Sequence, residues 1–90
     1  MFVMTEAAGA RLRDLLDKED CPNETAIRLV KDGKGIAMRL DEERSGDTEF
    51  RHEGRTVLYV DDEVVQLLAG NRLDIDRDTE RLALVGVKEK

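Results

Sequence analysis

Nucleophilic or metal-ligand chemistry would have to start from Cys21, Ser45 and His52, the lone cysteine, serine and histidine of the chain. A nucleophile needs a base within reach to activate it, and no local motif ties any two of the three together. Cys21 follows the acidic run Asp17 to Asp20, surroundings that do not favour a reactive thiolate. His52 sits in a charged turn and reads as a solvated surface residue. The acid pairs Glu42–Glu43 and Asp61–Asp62 read as a loop and a helix start rather than as acid–base partners. Asp74-x-Asp76-x-Asp78 has the opening spacing of a calcium loop. The glycine that loop needs is Thr79 here, and its bidentate glutamate is Val85. Lys31-Asp32-Gly33-Lys34-Gly35 lacks the Ser or Thr that follows the lysine of a phosphate loop, and a strand pattern follows it instead of a helix. The inventory points away from an enzyme, and no catalytic, cofactor-binding or metal-ligating residue is assigned.

Ninety residues make one domain, residues 1–90, because chains divide into separate cores only at several times this length. Aromatic residues are scarce, with Phe2, Phe50 and Tyr59 the whole set. The core must then be aliphatic, and small domains with thin cores often gain stability by self-association. Fifteen Lys and Arg are interspersed with twenty-one Asp and Glu, for a net charge of −6. That distribution leaves no basic footprint for nucleic acid. The opening Met-Phe-Val-Met is too short for a signal-peptide apolar region, and no later run reaches membrane-spanning length. A single cysteine argues against a disulfide-built secreted domain. A cytoplasmic protein is the expectation, without nucleic-acid or membrane partners.

Periodicity supplies the scaffold. Ala8, Leu12, Leu15 and Leu16 recur at helical spacing behind the N-cap residue Thr5, which predicts an amphipathic helix over 5–19. The period then changes to two. Strands are predicted over 26–30 and 36–40, with the glycines of 31–35 making the turn. Further strands are expected at 48–51 and 56–60, joined by the turn at 52–54. The run Thr56-Val57-Leu58-Tyr59-Val60 is the most apolar and is expected to be central. Asp61-Asp62-Glu63 opens a short second helix whose buried side is Val64, Leu67 and Leu68, with Gly70 as its stop. Strands at 73–76 and 81–85 follow. This order excludes a regular βαβ alternation and indicates an α+β, mainly β domain. Leu12, Leu15, Leu29, Leu58, Val60 and Leu84 are expected in the core, and Lys34 and His52 at surface turns.

As an ordered set these segments resemble the HesB-like domain, the fold of the A-type iron–sulfur cluster carriers. Met4-Thr5-Glu6-Ala7-Ala8 with Arg11-Leu12 and Leu15-Leu16 is similar to that family's opening helix, and Ile27-Arg28-Leu29-Val30 to its first core strand. Gly46-Asp47, Phe50, Gly54 and Val57 to Asp61 resemble its central segment, and Leu68-Ala69-Gly70 with Leu73-Asp74 its later stretch. The resemblance covers about residues 4 to 85 and implies two packed mixed sheets, a leading amphipathic helix and a short second helix. It also implies three ligand cysteines: one in a Gly-Cys-Ser-Gly-like turn after the first strand, and two in a C-terminal Cys-x-Cys. The corresponding turn here is Gly33-Lys34-Gly35, slightly shortened and without cysteine. Val87-Lys88-Glu89-Lys90 stand where the cysteine-bearing tail would begin.

Cys21 precedes the first strand and matches none of the three positions. Clusters are usually held by several thiolates, and one cysteine per chain supplies two even in a dimer. The expected function is therefore a non-catalytic, cysteine-less relative of the iron–sulfur carriers, a binding or regulatory module without a cofactor. The alternative is an iron or iron–sulfur binding protein using Cys21 across a dimer. A homodimer is a reasonable expectation, with Arg39, Arg51 and Arg55 available to offset the net charge, and a protein partner is left unnamed.

Overall fold

The computed structural model describes residues 2–33 and 35–86. Its elements are β1 (Val3–Met4), α1 (Glu6–Glu19), β2 (Thr25–Asp32), β3 (Gly35–Glu42) and β4 (Thr48–His52). They continue with β5 (Arg55–Val60), α2 (Asp62–Leu67), β6 (Asn71–Asp76) and β7 (Arg81–Gly86). Two mixed sheets result, a four-stranded one in the order β3-β2-β5-β4 and a three-stranded one in the order β1-β6-β7. This is the expected α+β, mainly β architecture. The element missing from the sequence reading is β1, two residues long and parallel to β6, too short for any period to show.

Local chemistry sets the boundaries. The Thr5 hydroxyl accepts from the Ala8 N–H at 3.1 Å, capping α1, and donates to Asp74 Oδ1 at 2.9 Å. The Thr5 N–H reaches the Leu73 carbonyl at 2.9 Å. One residue therefore starts the helix and ties it to β6. Asp61 caps α2 through the Val64 N–H at 2.9 Å. A two-residue connection joins β2 to β3, since Asp32 pairs with Gly35. Gly33 there has φ +60°, a conformation that costs a Cβ-bearing residue and suits glycine.

The strands β2 and β5 run parallel at the middle of the larger sheet, with Ile27 opposite Leu58 and Leu29 opposite Val60. Both are buried on both faces over most of their length: Ala26 to Leu29 and Val57 to Val60. Ile27, Leu29, Leu58 and Val60 share the face that packs towards α1 and the second sheet. There α1 presents Ala8, Gly9, Leu12 and Leu16, and Phe2 meets Phe50 edge-to-face at 5.5 Å. Gly9 suits the close approach here: a Cβ at that position would lie 3.0 Å from His52 Nδ1 and from Met4 Cε, and those side chains would have to give by a few tenths of an ångström.

Four expectations about burial need correction. Leu15 is half-buried, because the helix turns its Gly9 side inward rather than its Leu15 side. Leu84 is 38% exposed, since β7 is an edge strand with one face outward. Leu67 is also exposed, α2 burying Val64 and Leu68 instead. The His52 side chain is 13% exposed, pressed against the Gly9 turn of α1 rather than solvated. Lys34, expected at a surface turn, lies outside the described residues, as do 87–90.

Cavity energetics follow from this burial. Leu58→Ala is expected to cost roughly 2–5 kcal/mol of unfolding free energy, whereas Leu84→Ala should cost under about 1 kcal/mol. Urea denaturation of the two variants checks the ranking, and equal costs would contradict the sheet order.

Candidate functional site

The hairpin turn after β2 is where the family resemblance puts the first ligand cysteine. Asp32 and Gly33 enter that turn and Gly35 leaves it, so no thiol stands in its described part. Cys21 lies in the α1–β2 connection. Pro22 accepts from the Thr25 N–H at 3.0 Å, which holds that connection beside the start of β2. The length of the eight-residue strand, about 25 Å at ~3.3 Å per residue, separates the two places. Cys21 is half-buried, and its Sγ donates to the Leu16 carbonyl at 3.6 Å. Cys21 is thus partly enclosed between α1 and the core.

The other sequence candidates are scattered. Ser45 lies in the β3–β4 loop, and His52 ends β4 with its Nε2 3.9 Å from Glu53 Oε1. Two of the three spaced aspartates accept local backbone N–H groups. Asp74 accepts from Thr5 and from the Ile75 N–H at 2.8 Å, and Asp76 accepts from the Asp78 N–H at 2.8 Å. These bonds, that to Ile75 first, hold the Asp74 carboxyl below the ordinary carboxylate range. Among the described residues no group of three His, Cys, Asp or Glu side chains could hold a metal ion.

The most concentrated polar chemistry is one that sequence reasoning missed. Arg28, in the middle of β2, is 2% exposed. Its Nε donates to Asp41 Oδ2 at 2.9 Å, and Nη1 and Nη2 donate to the two Asp47 oxygens at 2.8 and 2.6 Å. Nη2 also donates to the Glu42 carbonyl at 2.9 Å. The guanidinium lies 5.6 Å from the Tyr59 ring centroid, and the Tyr59 hydroxyl donates to the Glu24 carbonyl at 2.9 Å. The Asp47 carboxylate is itself 1% exposed and takes the Arg44 N–H at 2.7 Å.

This bidentate, fully enclosed pair is a charge-assisted arrangement of the strong kind. The Arg28 hydrogen bond pulls the Asp47 carboxyl below its ordinary range, and the Glu42 N–H followed by Arg28 does the same for Asp41. Burial is the main cause pushing the Tyr59 phenol up, reinforced by Glu49 and Glu43. With four of its five N–H donors on protein acceptors, Arg28 is a structural cation. A signal was present in the sequence: one arginine interrupting Ala-Ile-Arg-Leu-Val, followed by Asp41 and Asp47 with no competing apolar partner.

The opposite character appears at the edges of the sheets. Met38 and Leu40 on β3 and Leu84 on β7 are exposed. Beside them a small groove of about 130 Å³ runs between Leu29, Ile36 and Met38 on one side and Leu73, Leu82 and Leu84 on the other. On β3, Ile36 packs against the core while Met38 and Leu40 lie exposed along the edge.

Asp47 and Asp41 have folded pKa values below those of the unfolded chain. Their contribution is therefore complete above the unfolded carboxylate pKa of about 3.9 and disappears as pH falls through the folded values. Acid titration of stability should show a steep loss beginning below about pH 5. Asp47→Asn, which leaves Arg28 enclosed beside a neutral amide, should lower stability at pH 7 by roughly 3–5 kcal/mol and flatten that slope. An unchanged acid limb in the variant would contradict the assignment.

No protein-family model matches the sequence, and no curated protein matches it. Among solved structures, the crystal structure of Escherichia coli SufA, a protein involved in biosynthesis of iron–sulfur clusters, superposes with a TM-score of 0.68. The two are 26% identical, and the match covers 92% of this chain and 80% of that one. It spans the helix, both sheets and the short second helix, which is the architecture the HesB-like resemblance implied. The chain thus has the HesB-like fold of SufA and is related to the iron–sulfur assembly carriers, with one cysteine in its ninety residues.

Proposed function

We propose that this chain is a non-catalytic HesB-like module that binds a protein partner and does not carry a cluster in the manner of its relatives. The observation that carries the reading is the position of its one thiol. Cys21 stands at the far end of β2 from the turn that the family uses, half-buried and bonded to the Leu16 carbonyl. A cluster needs several thiolates converging on one point. A two-chain site would need Cys21 of each copy to leave its place against α1.

The exposed apolar row supports the binding half of the proposal. Met38, Leu40 and Leu84 lie close to the Leu29–Leu73 groove on two edge strands, and apolar surface grouped in this way marks contact faces more often than isolated residues do. A second copy of the chain is the occupant we assign to it. Apolar contact has to drive that association, because exposed ion pairs contribute only about 0–1 kcal/mol each. The arginines first considered for charge balance do not gather on this face: Arg39 pairs with Arg28 on β3, while Arg51 and Arg55 flank the β4–β5 turn. A cytoplasmic setting, which keeps a lone thiol reduced, fits this role.

Anaerobic addition of ferrous iron and sulfide is expected to leave the purified protein colourless. A stable brown species lost in Cys21→Ser would instead favour a cluster shared between two chains. Light scattering over a concentration series should give a dimer mass for the wild type and a monomer mass for Met38→Asp. A monomer at high micromolar concentration in low and high salt would reject both the dimer and any two-chain site.

A further inference from the structure

A second region of the surface has the chemistry of a ligand site. A cleft of about 580 Å³ opens where the later part of α1, the α1–β2 connection and the β4–β5 hairpin meet. Arg13 and Asp17 come from the helix, Asn23 from the connection, and Arg51, Arg55 and Thr56 from the hairpin, with Glu53 at its turn. No aromatic or aliphatic side chain lines it. Each of the three arginines has a carboxylate beside it, Glu53, Asp17 and the bordering Glu49, so the cleft is locally neutral in a chain whose net charge is −6.

The state of these arginines differs from that of Arg28. Arg28 spends four of its donors at 2.6–2.9 Å. In the cleft the pairs are loose: Arg13 to Glu53 at 3.5 Å, Arg55 Nη1 to Asp17 at 3.6 Å, and Arg51 to Glu49 at 3.7 Å. All exceed the ~2.7–2.9 Å of a charge-assisted hydrogen bond, so these guanidiniums keep donor capacity for an incoming anion. Arg55 is also held in place. Its Nη2 donates to the Pro22 and Thr25 carbonyls at 3.4 and 3.3 Å, and its side chain is 16% exposed. A fixed guanidinium loses little further freedom on binding.

We infer that this cleft binds a phosphate group, free or carried by a small, polar, non-aromatic molecule. Guanidiniums pair with phosphate oxygens through charge-assisted, often bidentate hydrogen bonds, and three of them border this cleft. Asn23 supplies a neutral polar group for a hydroxyl-rich remainder, while the Thr56 hydroxyl donates to Glu49 at 2.8 Å and keeps only acceptor capacity; the missing stacking surface disfavours a nucleobase. Asp17, Glu53 and Glu49 pair loosely with these arginines and oppose the anion. Glu53, 74% exposed at the tip of the turn, is free to swing away. The inference uses neither Cys21 nor the apolar edge and stands or falls apart from the proposed function.

The test is a titration of the nitrogen-15-labelled full chain, followed by amide NMR shifts at constant ionic strength. Glucose 6-phosphate, inorganic phosphate and glucose are added separately. Glucose 6-phosphate is expected to shift the amides of 13–17, 23 and 51–56 saturably, with a Kd of about 1 mM or tighter, and glucose is expected to shift none. Weaker shifts at the same amides with inorganic phosphate would identify a carried phosphate, and equal ones a free phosphate. Arg51→Gln or Arg13→Gln should weaken binding about tenfold, Glu53→Gln should tighten it a few-fold, and Arg39→Gln outside the cleft should leave it unchanged. Both arginine variants alter partly exposed side chains and keep the Arg55 anchors, so folding is preserved. Shifts that never saturate, that spread over Arg39 and Arg81, or that persist in Arg51→Gln would overturn the inference.

Discussion

A cation enclosed at the centre of the larger sheet constrains everything around it. Arg28 sits on β2 between apolar neighbours and is neutralised by Asp47 from the β3–β4 loop and Asp41 from β3. A buried ion pair adds little net stability, because removing two charges from water costs several kcal/mol each. Its effect is on specificity. Slipping β2 by one residue against its neighbours would turn Arg28 onto the face that packs against α1, away from Asp41 and Asp47. The hairpin register, the course of the loop through Arg44 and Asp47, and the seat of Tyr59 all follow from satisfying that one guanidinium.

Periodic features were readable in the sequence, and features that depend on contacts across the fold were not. The helix behind Thr5, the hairpin across Gly33 and the central strand at Val57–Val60 each carry a local signature that the structure repeats. Leu84 and Leu67 misled, because a strand or helix period names the apolar face without saying whether another element covers it. His52 misled for the opposite reason. A histidine among charges looks solvated until the glycine at position 9 is known to bring α1 down onto it. The arginine-lined cleft collects residues from three separate segments, and no spacing along the chain announces such a meeting.

The relation to SufA separates scaffold from chemistry. The strand order, the capped leading helix and the paired sheets supply a frame whose small core is mostly aliphatic, with Phe2 and Tyr59 in it and Phe50 packed against it. The frame closes without a thiol in the described part of the turn after β2, where Gly33 enters the connection, Gly35 follows it and Asp32 stands opposite Gly35 in the strand register. A fold can keep its packing while its site residues change, which is why function has to be argued from the site. In this chain the lone thiol lies at the wrong end of β2, the exposed apolar edge lies across β3 and β7, and polar donor capacity collects beside the β4–β5 hairpin.

The central claim is that the fold has been retained without cluster carriage, and iron and acid-labile sulfide content tests it most directly. Protein isolated under anaerobic conditions from iron-replete cells would be examined by native mass spectrometry together with metal and sulfide assays. The account predicts chains and dimers at their bare polypeptide masses, with only substoichiometric traces of iron and sulfide. A species carrying iron and sulfide in fixed ratio to the chain, retained through purification, would contradict it.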